Sequence, residues 1–192
     1  SLLEPLMMRF IDKKEFNFGL VATGAHLLKK FGYTINDVNP KIRKKSVAKI
    51  KVLESTSTTA TAKNIAYLIE KFSNIFKKLN PNLVIVLGDR YEVFSAATSC
   101  HLLQIPLAHI HGGEVTLGAL DDGFRHAITK FSDLHFTSSA SHKKRVIQLG
   151  EKPSKVFNVG PMALDNILQI KFLSKSTLRK KLKISKAERD FL

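Results

Sequence analysis

Leu83-Val84-Ile85-Val86-Leu87-Gly88-Asp89-Arg90 decides how the chain is read. Its first five residues are apolar at every position, as in a strand buried on both faces rather than one wetted on alternate residues. A glycine and two charged residues follow at once. Upstream, 59–79 carries Ile65, Leu68, Ile69, Phe72, Ile75, Phe76 and Leu79 at helical spacing, and Asn80-Pro81 stops that helix. Downstream, the pattern predicts a helix over 91–103, a strand over 106–110 and a helix over 121–131. A short strand over 134–137, a helix over 139–149 ending at Gly150, and a strand over 156–159 come next, with Gly160-Pro161 as a turn.

The same alternation runs back toward the start. FGLVA (18–22) reads as a strand turning at Thr23-Gly24, and 26–31 as a short helix closed by Gly32, which supplies the positive φ of a helix terminus. SVAKIKVL (46–53) alternates like a half-buried strand, and 1–10 reads as a helix. Strands separated by helices of this length imply right-handed crossovers and a mostly parallel sheet with helices on both faces. The expected fold is therefore α/β and Rossmann-like. No internal repeat or low-complexity linker interrupts it. Near the far end, Ser185-Lys186-Ala187-Glu188 has the form of a capping box that starts a helix or turn.

The chain has 192 residues, 44% hydrophobic and 24% charged, enough apolar side chains for a real core and too many for disorder. No apolar run approaches the roughly 20 residues of a membrane-spanning helix. SLLEPLMMRFIDKKEF lacks a basic start, an apolar stretch and a small-residue cleavage site, so no secretory signal is expected. The lone Cys100 rules out an internal disulfide and a cysteine-based zinc site, and fits a reducing cytoplasm. The net charge of +15 is uneven: residues 1–51 hold 11 Lys and Arg against 4 acids, 52–139 hold 7 against 8, and 140–192 hold 13 against 4. The basic runs, such as Lys41-Ile42-Arg43-Lys44-Lys45 and Arg179-Lys180-Lys181, lack interleaved aromatics. They read as solvated surface or general anion steering, with no nucleic-acid partner expected, and the chemistry is expected in the near-neutral middle.

Asp89 directly follows a buried strand, and ligands of open parallel sheets bind at the carboxyl ends of strands. The alternative is an N-cap for the helix opening near Tyr91. The next strand ends in His109-Ile110-His111-Gly112-Gly113-Glu114. Strand alternation points the two histidines to one face, and the glycines allow a close backbone approach before Glu114. A metal pair, metal-free acid/base or substrate binding, and a structural role all remain open for this segment. Asp121-Asp122-Gly123-Phe124-Arg125-His126 opens a helix, where acids also suit the helix dipole. Asp121 with Arg125, and Asp122 with His126, are four apart and share faces. If the three acidic segments converge, they form a set for removing and returning protons on a charged substrate, carboxylates raising one another's pKa. Neither GxGxxG nor a Walker sequence is present. Thr137, Ser138 and Ser139 follow a strand, where the expected role is to cap a helix, with a phosphate contact as the alternative.

The run GDRYEVFSAATSCHLLQIPLAHIHGGEVTLGALDDGFRHAITKFSDLHF (88–136) resembles the central stretch of UDP-N-acetylglucosamine 2-epimerases, and within them the hydrolysing branch that feeds sialic-acid-type sugars. ATGAHLLKKFGYT (22–34) resembles the family's TG-x-H-L…FG segment, and VFNVGPMALDNI (156–167) the strand and helix that close its first domain. The resemblance implies the N-terminal half of a glycosyltransferase-B-like fold, with 1–168 as a Rossmann-like domain and 169–192 as a connecting helical segment. A first strand with a TG-x-R loop is expected before Leu2, and a nucleotide-binding domain after the chain, so this half alone is expected to be inactive. The implied reaction eliminates UDP to a glycal and hydrates it, giving N-acetylmannosamine and UDP. A 2,4-diacetamido sugar nucleotide of the legionaminic acid pathway is the alternative substrate.

By motif match the resemblance makes Asp89, Glu114, Asp121 and Asp122 the catalytic carboxylates. His26, Arg90, His111, Gly112, Gly113, Arg125 and His126 become substrate-binding residues. Many family members carry a carboxylate where this chain has His111. No redox cofactor or obligatory metal is implied. A UDP-sugar is the expected partner, with no membrane, and a homodimer or higher homo-oligomer in the cytoplasm is the implied state. A basic polyanion-binding or assembly domain without catalysis is the competing reading from another class.

Overall fold

The computed structural model of the protein describes residues 2–53, 58–169 and 173–182. In chain order they form α1 (Glu4–Asp12), β1 (Leu20–Thr23), α2 (Pro40–Arg43), β2 (Ser46–Ile50), α3 (Thr58–Leu79), β3 (Val84–Leu87) and α4 (Tyr91–Leu102). Then come β4 (Leu107–Ile110), α5 (Leu120–Phe131), β5 (Leu134–Thr137), α6 (Ala140–Gln148), β6 (Val156–Asn158), α7 (Met162–Gln169) and α8 (Lys175–Leu182). Every strand pairing is parallel: β1 with β2, and a sheet in the order β3-β4-β5-β6. Helices lie on both sides, as the alternating sequence pattern requires. The capping box at 185–188 lies outside the described residues.

Local sequence explains the element ends. Pro5 sits in the first turn of α1, where its missing N–H costs nothing. Asn80 terminates α3 with φ 44°, its N–H reaching the Phe76 carbonyl at 2.8 Å, and Pro81 prevents continuation. The helix expected over 26–31 is instead two single 3₁₀ turns, Gly24–Leu27 and Lys29–Phe31. Leu28 between them is extended (φ −105°, ψ 126°), which turns both Leu27 and Leu28 into the interior. Gly32 closes the segment at φ 82°, as expected.

The burial expected for Leu83–Leu87 belongs to the next strand. β3 pairs only with β4 among the described residues, and of its four residues only Val86 is fully buried. β4, flanked by β3 and β5, is buried at all four positions. Around them α3 packs Leu68, Phe72 and Phe76 against Val86, Ala96, Ala97 and Leu107. The small residues of α4 let α3 approach closely, and Ser99 Oγ donates to the Ile69 carbonyl across that contact at 3.0 Å. Phe124 of α5 stacks on Phe94 of α4, ring centres 5.0 Å apart. Burial pushes the Cys100 thiol up to about 12, leaving it an inert core residue. Met7, Ala22, Leu27, Ile35, Val38 and Ile42 form a second cluster joining α1, β1 and α2.

His109 of β4 is fully buried, its Nε2 2.8 Å from the Gly88 carbonyl and its Nδ1 3.1 Å from Thr129 Oγ1. Burial lowers it to about 4, outweighing the bond to Gly88 that favours the charged ring. The ring is therefore neutral at pH 7, with Nε2–H donating to Gly88 and Nδ1 facing a hydroxyl that Thr129 shares with the Arg125 carbonyl.

Two stability measurements follow from this core. Leu68→Ala, at a position with no exposure, costs about 3 kcal/mol in urea unfolding. His109 gives an acid-sensitive term. Its folded pKa lies below the ordinary 6.5, so the unfolded chain takes up the proton first. Its contribution is intact above pH 6.5 and is lost as pH falls from there to 4, at most about 3 kcal/mol. His109→Gln keeps an amide donor for Gly88 and removes the titration. Its unfolding free energy is lower at pH 7.5 but falls less between pH 7.5 and 4.5 than the parent's.

Candidate functional site

Asp89 leaves β3 through Gly88, whose φ of 85° turns the chain sharply at the sheet's carboxyl end. It does not cap α4: Arg90 holds the N-cap position, and no side chain bonds the helix start. Its carboxylate instead pairs with Nη2 of Arg125, which rises from α5 and is only 5% exposed. The same guanidinium reaches the His111 carbonyl at 3.1 Å, Glu114 Oε2 at 3.4 Å and Thr116 Oγ1 at 3.3 Å. Three segments separated in sequence thus meet on one buried cation.

Burial raises the Asp89 carboxyl above its ordinary value, the Arg125 charge opposes this, and the nearby Asp121 and Glu114 charges add to it. Arg125 therefore orders this carboxylate without pinning it in the ionised state. Such a group can take a proton and give it back nearer neutrality than a free aspartate.

The loop after β4 is shaped by backbone as much as by side chains. His111 adopts φ 67°, which ends the strand alternation, so His109 and His111 do not act as a same-face pair. His109 is engaged in the core. His111 presents Nδ1 to Glu114 Oε1 at 3.4 Å and receives the Met162 N–H on Nε2 at 3.4 Å. With Nε2 an acceptor, the ring proton sits on Nδ1 and faces Glu114. Among the described residues no three His, Cys, Asp or Glu side chains are grouped to hold a metal. A Cβ on Gly112 would stand 3.0 Å from both His109 Nδ1 and Thr129 Oγ1. Gly113, at φ 79°, lies so close to α6 that a Cβ would sit 2.4 Å from the His142 carbonyl. Both glycines thus shape the loop that carries Glu114, by close packing.

The expected pair of Asp121 with Arg125 does not form, because Arg125 turns away to Asp89 and Glu114. Asp121 stays near as a charge acting on Asp89. Asp122 does face His126, at 3.7 Å, and its other oxygen accepts the Thr116 N–H at 2.9 Å, closing the 116–122 loop. Arg90 is drawn off by the buried Glu92, with both contacts at 3.1 Å. Gly24 presses on that pair, a Cβ there standing 2.4 Å from Glu92 Oε1. The 23–24 turn therefore borders the loop after β3, while His26 bonds Thr34 at 2.8 Å and joins no carboxylate among the described residues. A cleft of about 170 Å³ lined by Ala25, Lys30, Phe31, Asn64, Arg90 and Tyr91 lies beside the Arg125 cluster rather than over it.

Sequence reasoning left Ser138 between a phosphate contact and a helix cap and did not register its bond to Glu114. Ser138 touches Glu114 directly (2.6 Å), whereas Ser139 is the N-cap of α6, accepting the His142 N–H at 3.2 Å. Only the tandem serines after β5 hinted at two separate roles.

A sequence profile of the UDP-N-acetylglucosamine 2-epimerase family matches residues 9–192. The GDP/UDP-N,N'-diacetylbacillosamine 2-epimerase (hydrolyzing) of Campylobacter jejuni is 41% identical over 184 residues, 95% of this chain and 47% of its own. Polysialic acid biosynthesis protein P7 of Escherichia coli is 39% identical over 94% of this chain and 46% of its own. The chain thus spans about half the length of the curated relatives it matches. Among solved structures, the UDP-GlcNAc 2-epimerase of Neisseria meningitidis bound to UDP-GlcNAc superposes with a TM-score of 0.75 at 18% identity, over 95% of this chain and 47% of that one. That likeness establishes the shared fold. With a family match across nearly its whole length and relatives this similar, the chain belongs to the UDP-N-acetylglucosamine 2-epimerase family.

Proposed function

We propose that this chain supplies the acid/base half of a hydrolysing UDP-sugar 2-epimerase. The observation that carries this reading is the convergence of Asp89 and Glu114 on the buried Arg125, with the Asp89 carboxyl raised by burial. In the proposed reaction one carboxylate removes the proton on carbon 2 of a 2-acetamido sugar while the bond from carbon 1 to the UDP oxygen breaks. A glycal and UDP result. Water then adds its oxygen to carbon 1 and a proton returns to carbon 2 from the opposite face, releasing the free epimerised sugar. Asp89, Glu114 and Asp121 exchange the protons. Asp122, occupied by Thr116 and His126, shapes the 116–122 loop. Gly112, Gly113 and His111 form the sugar-side wall, and Arg125 keeps the acids apart and oriented. Arg90, His26 and His126 border the crevice in this reading.

The primary substrate in this proposal is UDP-N-acetylglucosamine, yielding N-acetylmannosamine. A second reading, a 2,4-diacetamido sugar nucleotide, is favoured by the name of the 41%-identical Campylobacter jejuni relative. We further read 1–168 as the Rossmann-like unit and 169–192 as a connecting segment, in a cytoplasmic homo-oligomer. Support for that compartment is the lone, buried Cys100.

Product analysis of the complete gene product decides between the substrates. Supplied with each in turn, it releases UDP and free epimerised sugar from one of them, and release from neither sinks the hydrolase reading. Asp89→Asn lowers turnover by at least about 100-fold while the melting temperature stays within a few degrees. Near-normal kinetics in that variant would remove Asp89 from the reaction.

A further inference from the structure

The contacts of Glu114 extend beyond Arg125 and His111. Ser138, just before α6, donates its hydroxyl proton to Glu114 Oε1 at 2.6 Å. The same Oγ lies 2.9 Å from Nδ1 of His142, one turn into α6. A serine hydroxyl has one proton. Given to Glu114, it is not available to the imidazole, so the second contact requires His142 to be the donor through Nδ1–H. The line of donation runs from His142 to Ser138 to Glu114, in one direction only.

The backbone under this line is clamped as well. Gly113, adjoining Glu114, packs against the His142 carbonyl at a distance that leaves no room for a Cβ. Arg145, one turn further along α6, donates to the Gly113 carbonyl. Among the described residues, charged or titratable groups reach Glu114 from four elements. Arg125 comes from α5, His111 from its own loop, the Asp89 charge from the end of β3, and His142 from α6 through Ser138. Arg125 and His111 stand at 3.4 Å, so the 2.6 Å hydrogen bond from Ser138 is the shortest of the three contacts and fixes the carboxylate plane most tightly.

We propose that Ser138 and His142 are positioning residues, a hydroxyl–imidazole relay that orients the Glu114 carboxylate toward the reacting sugar. The inference rests on the acid/base reading of this site. Neither residue touches the sugar. Ser138 acts through Glu114, and His142 acts through Ser138 by keeping its hydroxyl proton aimed at the carboxylate.

Two measurements test it, one independent of turnover. In the ¹⁵N-labelled protein at pH 8, ring nitrogen shifts show neutral His142 in its Nδ1–H form, whereas a free imidazole side chain favours Nε2–H. Ser138→Ala returns it to the Nε2–H form. A wild-type His142 in the Nε2–H form, or one unmoved by Ser138→Ala, overturns the relay. In the complete gene product, Ser138→Ala lowers kcat about tenfold with KM nearly constant, because orientation is lost and binding is kept. His142→Phe does the same, while His142→Asn, whose amide N–H can stand where Nδ1–H stood, keeps kcat within about twofold of the parent. Unchanged kcat in Ser138→Ala, or equal losses in His142→Phe and His142→Asn, refutes the positioning role. Should the parent itself turn over no nucleotide sugar, the acid/base reading fails, and with it the role toward a sugar. The ring tautomer still decides whether the hydrogen-bonded line exists.

Discussion

The buried guanidinium of Arg125 is the constraint on which the site depends. A charge with 5% exposure is tolerated only where partners replace the water it has lost. Here they come from the end of β3, the loop after β4 and the 116–122 turn. Each partner lies where the parallel sheet delivers its loops, at the carboxyl edge. The guanidinium thereby converts a feature of topology, that successive strands end side by side, into a fixed spacing between two carboxylates. A lysine could carry the charge but not the fork, because its single ammonium cannot present separate N–H groups to Asp89 and Glu114 in one plane.

Much of the fold was legible because helix and strand periods differ sharply in this chain. The apolar spacing of α3 and the terminator Asn80-Pro81 locate that helix almost to the residue. Burial was less legible. LVIVL is the more apolar of the two segments, yet of β3 and β4 only β4 has a described strand on either side, and neighbour count cannot be read from one strand's own residues. Periodicity also failed at Leu28, whose extended backbone sends the two successive leucines into different core clusters, Leu27 with Ile35 and Ile42 and Leu28 with Val52 and Leu68.

For the candidate site, the sequence pointed to segments that the fold brings together on Arg125 and misjudged some pairings. Asp122 with His126 follows from helical geometry alone and is present. Asp121 with Arg125 has the same spacing and is absent, because a long arginine side chain reaches acids on other segments that no local rule registers. The same-face expectation for His109 and His111 failed at one backbone dihedral, the positive φ of His111. The bond of Ser138 to Glu114 was not legible because its partner lies 24 positions away, and a serine before a helix reads as a cap, the role Ser139 fills.

The one-sided pairing of β3 gives Asp89 an unusual mounting. In a parallel strand alternate N–H groups point to opposite edges. Those of Val84 and Gly88 are taken up by Pro106 and Ile110 on the β4 side, so Ile85 and Leu87 direct theirs to the edge where no described strand pairs. That half of the strand's ladder is paired by no described strand, so a local opening there needs no rupture of the β3–β4 pairing. Asp89 rides at the end of an edge strand of the four-stranded sheet, held from outside the sheet by a side chain of α5. Its position is set by a side chain of a neighbouring helix rather than from beneath by the strand that bears it.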